Sequence, residues 1–260
     1  MGRLGPTDRI AGLAAIVTVA GMIATPLQPR GGHARRVLSN VVVSGLFAVT
    51  TANAARRWGS KRALTAAGTI AAATTAVERV GTATGVPFGR YAYTRALQPQ
   101  VAHVPLIVPL AWFAMALPAR DTAHATLGAS STRATRAVLG SAALTAWDLF
   151  LDPQMVGEGY WAWARRGVYR GIPLTNFLGW FATGLAVMSA LDTLLPVKVV
   201  PGTTATPTHD IRSVGTYAYM GVMETVGFAR YFRDPLVAIV GGVAMLPLAA
   251  TAVVRTVTGR

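Results

Sequence analysis

Three carboxyl side chains interrupt long apolar runs of the sequence: Glu78, Asp148 and Glu224. A charge at the centre of a membrane helix costs about 2.5–3.5 kcal/mol, so such residues are candidates for function. Asp152 follows Asp148 by four positions, which places both carboxyl groups on one helical face, just before Pro153 ends or bends the helix. Two close carboxyl groups in apolar surroundings favour retention of a proton by one of them. This pair is therefore a candidate general acid near neutral pH.

Each of these acids also has a structural interpretation. Asp148, near the end of its run, could be solvated at the membrane interface or pair with an arginine of another helix. Asp152, which precedes a proline, is typical of a turn. Glu78 precedes Arg79 by one position, and such neighbours do not face each other on a helix, so its partner must come from elsewhere. Glu224 is interpreted as structural rather than catalytic.

Several other chemistries lack the residues that they require. The chain has no cysteine, which excludes thiolate metal sites and cysteine nucleophiles. The histidines are isolated, which argues against a di-iron site. The sequence has no dinucleotide-binding glycine motif, which argues against a nicotinamide enzyme. It also has no aspartate-rich cluster to hold magnesium and a diphosphate. The histidines are His33, His103, His124 and His209, and His103 is interpreted as a structural residue that opens an apolar run. We therefore expect no metal and no cofactor, and a chemistry of protons, water and aromatic faces.

Composition indicates that a membrane surrounds these residues. Of 260 residues, 52% are hydrophobic and only 13% are charged, and the mean hydropathy is +0.44. A soluble domain spends about 25% of its residues on charge. The net charge of +14 comes from basic residues that separate apolar runs, as a membrane protein distributes cations at lipid headgroups. Anionic lipid, rather than nucleic acid, is the expected partner of this charge.

The apolar runs predict an all-α fold: a polytopic transmembrane helical bundle of seven or eight spans that forms a single integral-membrane domain over 1–260. Small residues in Gly140–Ala143 and at Gly241 and Gly242 predict close helix packing. We expect a polar linker at 195–210 and a location in the bacterial cytoplasmic membrane, with the N-terminus on the cytoplasmic side. The predicted spans are 10–27, 37–54, 62–84, 101–118, 134–151, 173–194, 212–231 and 235–254.

Two connections between the spans combine backbone breakers with aromatic residues. One covers 85–93 and the other covers 152–173. Aromatic rings favour the headgroup zone, so these segments are predicted to be re-entrant or interfacial.

Motifs of these connections and of the neighbouring spans occur in an order that resembles the integral-membrane carotenoid biosynthesis proteins. They are Phe88-Gly89-x-Tyr91-x-Tyr93, Val104-Pro105-Leu106 with Trp112, Trp147-Asp148-x-x-x-Asp152-Pro153, Trp161-x-Trp163 and Gly171-Ile172-Pro173-x-x-Asn176-Phe177-x-Gly179-Trp180. The resemblance covers about 78–182. The chain departs from the family pattern at 97–100, where a Gly-Pro is usual, and at His103, where a glycine is usual.

That family includes carotenoid 1,2-hydratases that act on the ψ-ends of γ-carotene and of C50 bacterioruberin precursors. The resemblance implies acid-catalysed hydration of a terminal alkene to a tertiary alcohol without a cofactor. Asp148 is the first candidate proton donor and Glu78 the second, while Asn176 or Asp152 could position the water. The predicted substrate-binding residues are Phe88, Tyr91, Tyr93, Trp112, Trp147, Trp161, Trp163, Asn176 and Trp180, whose aromatic faces could stabilise a cation.

Two alternatives remain open from the sequence. The same cation could be captured by an internal alkene, which would give an end-group cyclase or isomerase. The chain could instead be a non-catalytic membrane protein that binds carotenoid or lipid, in which the acids hold helices together. The expected partners are a carotenoid or related polyene, membrane lipid and other carotenoid-pathway enzymes.

Overall fold

The computed structural model describes residues 5–197 and 210–259. These residues form eight α-helices and two small antiparallel sheets, which confirms the predicted all-α class. The helices are α1 (Pro6–Ala24), α2 (His33–Trp58), α3 (Ser60–Thr84), α4 (Ile107–Leu127), α5 (Arg133–Gly157), α6 (Leu174–Leu194), α7 (Ile211–Gly227) and α8 (Pro235–Thr258). The strands are β1 (Tyr91–Tyr93), β2 (Gln100–Val101), β3 (Val104–Pro105) and β4 (Trp161–Trp163).

Four of these helical segments are long and apolar enough to cross a membrane: Pro6–Leu27, His33–Trp58, Leu174–Leu194 and Pro235–Thr258. Each contains at least the roughly 20 residues that span a hydrocarbon core. For α3, α4, α5 and α7, membrane crossing stays a prediction. All but 195–197 and 210 of the predicted polar linker lies outside the described residues.

The chain forms two compact units. The first unit contains the residues up to 114 together with 154–173, and the second contains 115–153 together with the residues from 174 onward. The single integral-membrane domain stays a prediction.

In the first unit, α1 packs closely along α2. A Cβ atom at Gly45 would collide with Thr18 Oγ1, and one at Gly21 would lie 2.9 Å from a methyl group of Val42. Small residues at such positions let helix backbones approach where lipid provides no hydrophobic drive for association.

Changing Gly45 to alanine (G45A) is expected to lower the free energy of unfolding by about 1–3 kcal/mol, because the added methyl group overpacks the contact with Thr18. Thermal unfolding of the purified protein in detergent measures the effect. The matched control is G68A in α3, where a Cβ would meet nothing within 4 Å and where alanine favours the helix by about 1 kcal/mol. Equal stabilities of the two variants would contradict the close packing of α1 on α2.

In the second unit, the predicted small residues also lie at helix contacts. A Cβ at Gly140 would lie 2.9 Å from Met188 Sδ, and one at Gly241 would lie 2.5 Å from the Phe150 ring. Ser141 faces Gly184, whose Cβ would lie 2.5 Å from the serine hydroxyl oxygen. The prediction of close packing at these residues is confirmed.

Two predicted boundaries are wrong. The fourth span was expected to begin at 101, yet residues 100–105 form the hairpin of β2 and β3, and α4 begins at Ile107. Ala102 and His103 form its turn with φ of 51° and 66°, so His103 lies exposed in a turn and does not open a helix. The fifth span is predicted to end at 151, yet α5 continues through Pro153 to Gly157.

Candidate functional site

The two aromatic connections pair with each other as strands. β1 and β4 are antiparallel, with Tyr91 opposite Trp163 and Tyr93 opposite Trp161. Alternate residues of a strand share one face, so all four rings lie on one side of the ladder. The Tyr91 and Trp163 rings stack with centroids 5.7 Å apart, and the Tyr93 and Trp161 rings meet edge to face at 5.5 Å. Such cross-strand pairs stabilise a short ladder that could not persist alone.

The sequence contains a signal for these strands that the search for apolar runs does not detect. Tyr-Ala-Tyr at 91–93 and Trp-Ala-Trp at 161–163 alternate large and small residues with the period of a β-strand. The predicted interfacial or re-entrant position of the two connections stays a prediction.

Below this ladder, in the first unit, the Glu78 carboxyl group accepts hydrogen bonds from three aromatic side chains. Tyr91 Oη and Tyr93 Oη donate to Oε2, the latter at 2.7 Å, and Trp112 Nε1 donates to Oε1 at 3.0 Å. Glu78 is 4% exposed and forms no ion pair with any described basic residue. The partner that the sequence required from elsewhere is thus a set of two phenols and an indole.

Local backbone features bring these rings over Glu78. Gly81 lies one turn after Glu78 on α3, and a Cβ there would lie 2.9 Å from the Phe88 ring and 3.1 Å from Tyr91 Oη. Gly85 ends α3 in the left-handed conformation with φ of 87°, which L side chains rarely adopt. The chain then turns back to place Phe88 edge to face with Tyr91, with ring centroids 6.1 Å apart.

The Tyr93 phenol is held in its neutral form. Burial, followed by the repulsion between a tyrosinate and the Glu78 carboxylate, raises the pKa of Tyr93 well above its ordinary range. Tyr93 therefore remains a hydrogen-bond donor to Glu78 throughout the physiological range of pH.

In the second unit, one amide links the two carboxyl groups of α5. Asn176 Nδ2 on α6 donates to Asp148 Oδ2 at 2.8 Å and also to Asp152 Oδ2. Asp148 is 0% exposed and Asp152 is also buried. The expected placement of Asp148 and Asp152 on one helical face is confirmed.

Two predicted tryptophans lie at the same helix contact. The Trp147 and Trp180 rings meet edge to face with centroids 6.2 Å apart. Trp147 directly precedes Asp148, and Trp180 follows Asn176 by one helical turn. Both indoles are buried. The acid pair is therefore accompanied by two electron-rich faces.

The predicted site residues thus form two clusters, one in each unit. The first-unit cluster comprises Glu78, Phe88, Tyr91, Tyr93, Trp112, Trp161 and Trp163. The second-unit cluster comprises Trp147, Asp148, Asp152, Asn176 and Trp180. Their chemical roles stay predictions. Glu224 is buried in α7 and pairs with no basic residue among those described.

Sequence reasoning missed a buried ionic network in the second unit. Arg120 is 0% exposed, and its guanidinium donates to the carbonyl oxygens of Leu191 and Leu195 at 3.0 and 2.7 Å and to Asp121 Oδ1 at 3.1 Å. Asp192 lies 3.7 Å from Arg120 and 2.8 Å from Arg136 Nη2. The network fastens the C-terminal end of α6 to α4 and α5. A predicted span that ends at 118 places Arg120 in a loop instead.

A second missed ion pair lies in the first unit. Arg35 donates to Glu158 Oε2 through Nε at 2.8 Å and to Oε1 through Nη2 at 2.6 Å. The same guanidinium donates to the carbonyl oxygen of Gln28 at 2.7 Å, and nearby Ser39 Oγ lies 3.1 Å from Tyr160 Oη. This pair joins the start of α2 to the segment that leads into β4.

No three His, Cys, Asp or Glu side chains of the described ranges 5–197 and 210–259 converge as metal ligands would. An all-α chain with four helices long and apolar enough to span a membrane, and with a buried carboxyl group bonded to an indole and two phenols, is typical of a helical membrane protein. The chain belongs to the carotenoid biosynthesis protein family, whose model matches residues 37–248.

The name of a similar curated protein is consistent with that family. Bisanhydrobacterioruberin hydratase of Haloarcula japonica is 31% identical to this chain over 118 residues. The match covers 45% of this chain and 40% of the relative. No solved structure matches the chain.

Proposed function

We propose that this protein adds water to the terminal 1,2 double bond of an acyclic carotenoid end and produces a tertiary alcohol. The family and the name of the hydratase relative support a carotenoid substrate. The observation that carries the proposal is the Asp148 and Asp152 pair held by the Asn176 amide. Two buried carboxyl groups that share one hydrogen-bond donor favour a state in which one of them keeps its proton and the other is ionised, so the pair supplies one acid and one base.

The proposed reaction balances with water alone. Asp148 gives its proton to C2, the less substituted carbon of the alkene, and the π electrons form the new C–H bond, which leaves a tertiary cation at C1. A water oxygen then bonds to C1, and the surplus proton of that oxygen passes to the carboxylate pair. The acid is thereby regenerated, and the substrate has gained one water.

The aromatic residues are proposed to bind the polyene and to stabilise the cation. The face of a desolvated indole or phenol attracts a cation by about 2 kcal/mol or more. Trp147 and Trp180 lie beside the acid pair in the second unit. In the first unit, the rings around Glu78 form the second candidate site, with Glu78 as the alternative donor.

Pigment mass tests the function. The chain is expressed in bacteria that accumulate γ-carotene or lycopene, the membrane fraction is isolated, and the pigments are compared by mass spectrometry with those of the empty host. We expect a product heavier than its precursor by one water. A converted pigment of unchanged mass would establish cyclisation or isomerisation instead, and bound but unchanged pigment would establish a binding protein. The same fractionation tests the proposed location in the bacterial cytoplasmic membrane.

A further inference from the structure

A buried hydrogen-bond donor beside the acid pair has no acceptor. Trp147 is 3% exposed, and its Nε1 atom donates to none of the described residues. A buried polar group without a partner is costly, and native structures seldom retain one without a reason. The position of this donor, one residue before Asp148, points to a ligand of the second-unit cluster.

A hydrogen-bond acceptor at the same helix contact has no donor. Asn176 uses its amide nitrogen for both Asp148 and Asp152. Its Oδ1 atom accepts no hydrogen bond from any described residue. The amide nitrogen of Asn176 therefore donates to the two carboxyl groups, and its amide oxygen can accept a hydrogen bond from a ligand.

One donor and one acceptor beside two carboxyl groups fit a single small ligand that both accepts and donates hydrogen bonds. A water molecule needs two to four polar partners in a buried place, and Trp147 and Asn176 both belong to the contact of α5 with α6 that holds the acid pair. We propose that Trp147 and Asn176 bind the water that attacks the cation, an inference that rests on the proposed hydration.

The proposed water is oriented for its reaction. Its oxygen accepts a hydrogen bond from Trp147 Nε1, one of its protons is donated to Asn176 Oδ1, and its other proton is directed to the carboxylate pair. A lone pair of the oxygen then remains for the bond to C1. After that bond forms, the proton directed to the carboxylate leaves, and the product is the neutral alcohol. The Trp147 N–H thus acts on the second step and not on alkene protonation, while the aromatic face proposed to stabilise the cation is kept in W147F.

Two variants of Trp147 test this role, because they change how often the cation is captured by water rather than lost to other products. W147F keeps an aromatic ring and removes the donor, whereas W147H restores a ring N–H. The readout is the ratio of hydrated pigment to converted pigment of unchanged mass, which a cation forms when it loses a proton or reacts internally. This ratio compares products of one sample, so it does not depend on how much protein accumulates.

We expect W147F to lower the hydrated-to-unhydrated ratio by about three- to tenfold, as the loss of one hydrogen bond predicts, and W147H to recover part of it. W58F is the matched control, because Trp58 ends α2 in the first unit under the guanidinium of Arg57. A W147F ratio equal to that of the wild type would overturn the role of Trp147. So would a W147F variant that reaches wild-type membrane levels but converts no pigment, since the loss would then lie in protonation. Failure of the wild type itself to hydrate would instead overturn the proposed function.

Discussion

Replacement of Asp148 by asparagine (D148N) is expected to lower the rate of carotenoid hydration by at least about 10²-fold. Positioned general acids contribute about 10²- to 10⁴-fold, and asparagine keeps the shape of the side chain but carries no acidic proton. The Asn176 amide that now donates to both carboxyl groups would meet one carboxyl and one amide. Hydrated pigment formed per amount of membrane-inserted protein measures the change.

D8N provides the control for D148N. Asp8 lies in the first turn of α1 and belongs to the first unit, whereas the acid pair belongs to the second. E78Q is assayed in parallel. Full hydration by D148N would refute Asp148 as the donor. If E78Q lost activity in the same assay, the role would pass to Glu78 and its tyrosine partners.

Replacement of Arg120 by methionine (R120M) is expected to lower the free energy of unfolding by about 3–5 kcal/mol. Removal of one partner from a buried ionic network leaves the opposite charges without compensation. Asp121 and Asp192 would lose the guanidinium, and the carbonyl oxygens of Leu191 and Leu195 would lose two donated hydrogen bonds. Unfolding of the purified protein in detergent, followed by circular dichroism, measures the loss.

R133M is the matched control for R120M. Arg133 also donates to α6, to Ser189 O and Thr193 Oγ1, but it is exposed, so its loss should change stability by no more than about 0.5 kcal/mol. The double variant R120M/D121N removes one of the stranded charges and should recover part of the stability. A single R120M variant as stable as R133M would show that the network does not hold α6.

The four helices long and apolar enough to span a membrane could be predicted because each is a mainly apolar run of about 20 residues, a signal contained within one segment. The wrong start of the fourth helix has a local cause. Residues 101–106 are nearly as apolar as the helix that follows, and apolarity does not report that Ala102 and His103 adopt positive φ. At Pro153 the predicted helix is too short, because α5 tolerates this proline one turn before its end at Gly157.

The acids could be selected as candidates because ionisable residues are rare in apolar runs. Their partners could not be derived in the same way. Glu78 meets Trp112 across 34 positions, and Asp148 meets Asn176 across 28, and no periodicity reports such distant contacts. Only the family motif points to Asn176. Arg120 shows the limit most clearly, since a basic residue at a predicted helix end looks the same whether it faces headgroups or binds two buried carbonyl oxygens.

The rungs of the ladder between β1 and β4 restrict how the protein can be redesigned. Tyr91 shares a rung with Trp163 and Tyr93 shares one with Trp161, so a smaller ring at one position leaves a void that its opposite number cannot fill. Libraries aimed at pigments with bulkier or shorter ends should therefore vary the two rungs as coupled pairs that keep the summed ring volume. The four positions are then varied as two coupled pairs, and most variants keep all four aromatic rings packed on one face of the ladder.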